Sequence, residues 1–86
     1  MDVIFHRNFK RHYKKLRISE QKKCDEKIVL FMENPLDPLL HNHALGGKWG
    51  CYRSINITGD PRALYEPIGI DTALFILVNT HSNLYK

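Results

Sequence analysis

A nearly unbroken apolar run, TALFILV at residues 72–78, limits the folds that are open to this chain. Such a run favours a strand that is buried on both faces and lies inside a sheet. Two further strands are predicted before it, because side chains alternate from Cys51 to Thr58 and a second extended segment spans Arg62 to Tyr65. The turns at 59–61 and 67–71 are short, so the three strands are expected to form an antiparallel meander.

The N-terminal part of the chain carries a different period. Residues 2–5, DVIF, are predicted to form a short strand. The helix that follows has one apolar face, with the spacing i, i+4, i+8, i+11, which consists of Phe5, Phe9, Tyr13 and Leu16.

A second helix is predicted to begin at Ser19, a residue that can cap a helix N-terminus. It should end before Asn34-Pro35, because a residue that precedes proline avoids the helical region. Residues 35–50 are expected to be a long loop. The buried face of this helix is predicted to consist of Cys24, Ile28, Phe31 and Met32.

The predicted order is therefore strand, helix, helix, strand, strand, strand. This order indicates an α+β fold in which an N-terminal strand and a helical hairpin pack on a small antiparallel sheet. A length of 86 residues favours a single domain that spans residues 1–86.

The charge of the chain is positive and unevenly distributed. Thirteen Lys and Arg residues against nine Asp and Glu residues give a net charge of +4, and the excess is concentrated in the first 27 residues. A basic block of this kind favours a polyanionic partner, either RNA, DNA, an acidic protein or an anionic membrane, although a simple solvated helix face has the same pattern.

No stretch approaches the roughly 20 apolar residues that cross a bilayer, and the N-terminus does not have the pattern of a signal peptide. The two cysteines share no short motif, which favours reduced thiols in a cytoplasmic protein.

Metal and nucleotide sites are not predicted. The sequence has neither a Cys-x-x-Cys pair nor a His-Glu-x-x-His motif, so no metal site and no cofactor are expected. Gly46-Gly47-Lys48 lacks both the earlier glycine and the following Ser or Thr of a phosphate-binding loop.

The remaining polar groups suit RNA cleavage by side chains alone. A base removes the proton of the ribose 2′-hydroxyl, an acid protonates the leaving 5′-oxygen, and cations hold the phosphate. Each residue also has an ordinary explanation, such as a solvent-exposed loop histidine, a turn aspartate or an arginine that pairs with Asp60 or Glu66. The candidate set consists of His43, Arg53, Asp60, Arg62, His81 and Tyr85.

Residues 43–86 also resemble the RelE superfamily of bacterial toxins, and are most similar to its YafQ-type branch. Four pieces carry the resemblance: His43-x-Leu45, Gly50-x-Tyr52-Arg53, Gly59-Asp60-x-Arg62 with Leu64-Tyr65, and Thr80-His81-Ser82-x-Leu84-Tyr85. The resemblance implies the toxin of a type II toxin–antitoxin system, a metal-independent endoribonuclease that cuts messenger RNA in the ribosomal A site. It also implies an antitoxin that wraps the toxin and masks its basic surface.

The resemblance assigns roles to six residues. It implies that His43, Asp60 and His81 act in proton transfer or orientation, that Arg53 and Arg62 contact phosphate, and that Tyr85 is an aromatic residue of the tail. Four positions depart from the pattern and leave the identity of the general base open. These are Ser54 in place of an acid, Asn56 in place of a histidine, Pro61 in place of an aromatic residue and Asn79 in place of a glycine.

Two other functions fit the same architecture. A ParE-like toxin poisons DNA gyrase instead of cutting RNA, and a catalytically inert homologue only binds its antitoxin. Under the ribonuclease hypothesis, the basic helix surface is expected to bind ribosomal RNA through phosphate contacts. We define this surface as Lys10, Arg11, Lys14, Lys15 and Lys22.

Overall fold

The computed structural model describes residues 1–80, in which five strands form one sheet beside two helices. The sheet order is β1-β5-β4-β3-β2, with β1 parallel to β5 and all other neighbours antiparallel. The elements are β1 (Asp2–Phe5), α1 (Arg7–Lys14), α2 (Ile18–Glu33), β2 (His43–Ala44), β3 (Arg53–Asn56), β4 (Pro61–Ile68) and β5 (Thr72–Thr80).

This architecture confirms the predicted α+β fold and its element order. The apolar run lies in β5, between β1 and β4, as its composition predicts. One feature of the prediction is wrong, because the sheet is mixed and not wholly antiparallel. The strand β1 pairs in parallel with β5 from Asp2↔Thr72 to Phe5↔Phe75, which is possible because two helices separate β1 from the meander.

The core lies between the helices and one face of the sheet. Phe31 of α2 is fully buried, with its ring 5.2 Å from that of Phe75 and 4.9 Å from that of Tyr65. Phe9 of α1 packs edge-on against Phe75 at 5.7 Å. Each such side chain contributes about 1.5–3 kcal/mol by leaving water, so these aromatic contacts hold both helices on β5 and β4.

Two details of the predicted second helix are wrong. The helix begins at Ile18 with Arg17 as its N-cap. Ser19 therefore lies inside the first turn, and the Arg17 amide donates instead to Glu20 Oε1 at 3.0 Å. Met32 is 46% exposed. In a helix with 3.6 residues per turn, each step of four residues turns about 40° beyond a full turn. The row Cys24, Ile28 and Met32 therefore rotates away from the core, and its last member faces solvent.

The predicted loop 35–50 contains three short elements. Two are 3₁₀ helices, Pro38–Leu40 and Gly47–Trp49, and the third is β2. Asp37 Oδ1 accepts from the Leu39 amide at 2.9 Å and caps the first of them. Leu40 is fully buried and packs in the core. It therefore fixes the position of the backbone just before His41 and β2.

Candidate active site

Polar side chains collect on one face of the sheet, where β2, β3 and β4 lie side by side. His43 pairs with Ser54, and Asn56 pairs with Arg62. Cross-strand partners share a face, and so does every second residue of a strand. The intervening Ile55 is buried in the core beneath the helices. The polar residues therefore lie on the opposite face, which we call the site face and define as His43, Ser54, Asn56 and Arg62.

The ring of His43 has a fixed orientation on the site face. Its Nδ1 lies 2.8 Å from the backbone oxygen of His41. A carbonyl oxygen can only accept, so in the neutral ring Nδ1 carries the proton and Nε2 carries the lone pair. His43 is exposed, and Nε2 can therefore take a proton from a bound molecule.

The carbonyl that holds His43 belongs to an unusual backbone position. His41 has φ 46° and is left-handed, a conformation that costs about 1 kcal/mol or more for a residue with a Cβ atom. It follows the buried Leu40 at the end of the first 3₁₀ helix, whose carbonyl at Pro38 accepts from the His41 amide at 3.3 Å. This turn directs the chain from the core into β2.

Arg62 binds the turn between β3 and β4. Its Nη1 donates to Asn56 Oδ1 at 2.5 Å and to the Gly59 carbonyl at 2.8 Å, with longer contacts of 3.3 Å to the carbonyls of Asp60 and Pro61. One edge of the guanidinium therefore binds the turn between β3 and β4.

Arg53 lies on the other face of the sheet. Its cross-strand partner is Tyr65, a core residue that is 3% exposed. Its Nε donates to Asn42 Oδ1 at 2.8 Å. The two arginines that were predicted to contact phosphate are therefore separated by the sheet, and only Arg62 shares a face with His43.

Asn42 joins three parts of the fold and was missed by sequence reasoning. Its Nδ2 donates to the Pro35 carbonyl at 2.9 Å and to the Tyr65 hydroxyl at 2.8 Å, while its Oδ1 accepts from Arg53. The only local signal is that asparagine in a loop often bonds to the backbone. Nothing in the sequence indicates that the distant Tyr65 is its partner.

The other predicted residues fall into three groups. Asp60 is exposed in the turn next to Arg62. His81 and Tyr85 lie outside the described residues. The members of the basic helix surface are all exposed, and they lie in the helical layer, on the other side of the sheet from the site face.

Between the two helices runs an apolar groove of about 530 Å³. Val29, which is 56% exposed, lies on one side of it. Lys10 and Lys14 line it as well, together with Asp25. The groove is therefore apolar along its floor and bears more positive than negative charge. Its apolar lining residues are Phe5, Phe9, Tyr13, Cys24, Ile28 and Val29.

The two cysteines are free and differ in their surroundings. Cys24 is buried, and burial raises the pKa of its thiol to about 12. Its thiol is therefore protonated near neutral pH and is a poor nucleophile. Cys51 is exposed in the turn before β3.

In residues 1–80, no helix is long and apolar enough to cross a membrane.

The chain matches no protein-family model and no curated protein, but its fold is shared by solved toxins. YafQ of E. coli strain BL21(DE3) is 20% identical with a TM-score of 0.82, over 99% of this chain and 98% of that one. A copper-bound mutant toxin from Helicobacter pylori is 26% identical with a TM-score of 0.78, over 99% of both chains. The RelBE2 toxin–antitoxin complex of Mycobacterium tuberculosis is 22% identical with a TM-score of 0.64, over 93% of this chain and 96% of that one.

Proposed function

This chain has the fold of the RelE-superfamily toxins, in its YafQ-like form, and on that basis we propose that it is the toxin of a type II toxin–antitoxin pair. We further propose that it is an endoribonuclease, which cleaves messenger RNA in the ribosomal A site without a metal ion. The observation that carries the proposal is His43. Its Nδ1 is bound by a carbonyl and its Nε2 is left basic, on the same face as Arg62.

In this mechanism His43 is the general base. Its Nε2 removes the proton of the ribose 2′-hydroxyl, and the 2′-oxygen attacks the adjacent phosphorus. The bond from phosphorus to the 5′-oxygen breaks, which gives a 2′,3′-cyclic phosphate and a 5′-hydroxyl end. We propose that His81, for which the resemblance implies a role in proton transfer or orientation, donates a proton to this leaving oxygen.

Arg62 is assigned to the scissile phosphate. A guanidinium is permanently charged and binds two oxygens at once. The bonds from Nη1 to Asn56 and Gly59 hold it in place before substrate arrives, so little reorganisation is needed as charge develops. Asp60 is proposed to orient this end of the site, and Tyr85 to stack on a base of the message.

The proposed partners are the ribosome, messenger RNA and an antitoxin. The exposed basic helix surface suits ribosomal RNA, whose phosphates bind lysine and arginine without reading sequence. The groove between the helices suits an apolar helix face that carries acidic residues beside Lys10 and Lys14. The RelBE2 toxin was solved with its antitoxin, which supports a protein partner of this kind.

The activity is tested on ribosomes programmed with a defined message. Wild-type protein should cut within the A-site codon, also in the presence of a chelator that removes zinc and copper but leaves magnesium. His43→Ala should lower the single-turnover rate by roughly 10²–10⁴-fold and keep ribosome binding. His6→Asn is the matched control, because it removes a histidine but keeps an acceptor for the Asn8 amide.

Expression of the protein in cells separates the alternative functions. DNA breaks with intact messages in cells that express the protein would support a ParE-like gyrase poison. A protein that causes neither DNA breaks nor message cleavage, and still binds an antitoxin, would be an inert homologue.

The antitoxin partner is tested separately. Val29→Lys in the groove should abolish co-purification with the antitoxin, and unchanged co-purification would count against the groove as the antitoxin site.

A further inference from the structure

We infer that Asn42 is a positioning residue, which holds His43 as a base by fixing the segment 41–43 to the core. The inference rests on the proposed ribonuclease function. Asn42 lies between the residue whose carbonyl binds His43 Nδ1 and His43 itself. It touches no reacting atom, so its effect on catalysis passes through the geometry of its neighbours.

The amide of Asn42 is bound on every side. Both N–H groups of Nδ2 have an acceptor, the Pro35 carbonyl at 2.9 Å and the Tyr65 hydroxyl at 2.8 Å, and Oδ1 accepts from Arg53 at 2.8 Å. Aspartate has no donors for the first two partners, and alanine has no polar group at all. No smaller or differently charged side chain reproduces these three bonds.

The partners of Asn42 are themselves fixed. Tyr65 is 3% exposed, and its ring lies 4.9 Å from that of Phe31 and 5.2 Å from that of Phe75. Pro35 follows the end of α2, and Arg53 begins β3. The Asn42 side chain thus connects segment 41–43 to the aromatic core, to the helix end and to the neighbouring strand.

His43 needs this support because its own strand is minimal. The strand β2 has two residues at the edge of the sheet, so its ladder alone gives little rigidity. The left-handed turn at His41 must also be maintained for its carbonyl to reach Nδ1. Without the Asn42 bonds, the turn can relax, the carbonyl leaves Nδ1, and the proton redistributes between the two ring nitrogens.

Arg53 belongs to this support and not to the scissile phosphate. Its Nε is occupied by Asn42 and it lies across the sheet from Arg62. The inference therefore predicts that Arg53 and Asn42 act as one unit. Residues that act through one shared contact have non-additive effects when both are replaced.

The test uses Asn42→Ala and Tyr65→Phe in the full chain, with Gln21→Ala as the matched control. Gln21→Ala also removes side-chain amide hydrogen bonds, from Nε2 to the carbonyls of Tyr13 at 3.0 Å and Leu16 at 3.3 Å, but Gln21 lies on α2. Asn42→Ala should lower the single-turnover rate by about 10–100-fold, a typical cost of misplacing a catalytic group. The KM for ribosomes should be unchanged. Tyr65→Phe should lower the rate by less, and the double variant should equal Asn42→Ala.

A second readout is independent of activity. The ¹⁵N chemical shifts of the His43 ring in the free protein report which nitrogen carries the proton. Wild type and Gln21→Ala should show the proton on Nδ1, whereas Asn42→Ala and Tyr65→Phe should show a mixture. If Asn42→Ala does not fold, Tyr65→Phe decides, since it keeps the aromatic ring in the core.

The outcomes separate the two proposals. A wild-type protein that does not cleave on ribosomes refutes the proposed function, and the ring shifts then still decide the role of Asn42. Folded Asn42→Ala or Tyr65→Phe with wild-type ring shifts and a wild-type rate overturns the inference. A lowered rate with a raised KM and unchanged shifts also overturns it, because that result assigns these residues to ribosome binding.

Discussion

Replacing Arg62 with alanine should destabilise the turn between β3 and β4 even in the absence of RNA. Two short bonds are lost, from Nη1 to Asn56 Oδ1 at 2.5 Å and to the Gly59 carbonyl at 2.8 Å. A bond to a charged group contributes about 1.5–3 kcal/mol, and the half-buried guanidinium calls for the lower end of that range with a further reduction for solvent screening. We therefore expect a loss of about 2 kcal/mol, or roughly 8–16 °C in Tm for a domain of this size.

Urea unfolding followed by circular dichroism measures this loss. Asn56→Ala removes one of the two short bonds and should cost about 1 kcal/mol. Arg62→Lys keeps the charge but not the planar group, so its stability should lie between those of wild type and Arg62→Ala. Its cleavage rate should nevertheless fall close to that of Arg62→Ala. If Arg62→Ala unfolds at the same urea concentration as wild type, the turn does not depend on these bonds.

Three further outcomes are expected. Iodoacetamide at neutral pH should modify Cys51 and leave Cys24 unmodified, because burial raises the pKa of the Cys24 thiol to about 12; mass spectrometry that finds both modified in folded protein would contradict this. Burial, with Lys15 and Arg11 nearby, lowers the pKa of His12 below 6.5, so its contribution to stability is full above pH 6.5 and falls as the pH drops towards the lowered value. His12→Gln should flatten that acid limb of the urea midpoint, and an unchanged limb would exclude His12. Three lysine-to-glutamate changes in the basic helix surface should abolish ribosome binding. In the wild-type protein, the logarithm of the binding constant should fall with the logarithm of the salt concentration, with a slope of about −0.7 per phosphate contact. Unchanged cleavage on ribosomes by the triple variant would refute that assignment. The lysines are Lys10, Lys14 and Lys15.

The parts of the fold that were predictable are those with a local hydrophobic period. The apolar run specified β5 as an interior strand, and the spacing of Phe9 and Tyr13 indicated the buried side of α1. The alternation around Ile55 placed Ser54 and Asn56 together on the other face. Each of these patterns depends on whether a side chain meets the core or water, and that choice is visible along the chain.

The parts that were not predictable depend on partners distant in sequence. A two-residue strand such as β2 has no period, so the edge position of His43 could not be read from its neighbours. The bond between Asn42 and Tyr65 spans 23 positions and leaves no local pattern. The opposite faces of Arg53 and Arg62 follow from the register of β3 with β4. Residue type and the family resemblance suggested that both arginines bind phosphate, and neither indicates on which face of the sheet an arginine lies.

The parallel pairing of β1 with β5 affects how the protein folds during its synthesis. Asp2 pairs with Thr72, so during translation β1 leaves the ribosome before its partner strand β5, which lies seventy positions later in the chain, has been synthesised. Contacts of such long sequence separation slow folding. Until then the unpaired edge of β1, with Ile4 and Phe5, is available for pairing with other chains. Phe9 of α1 packs against Phe75 of β5. The helical hairpin therefore also lacks this packing surface until β5 has been synthesised.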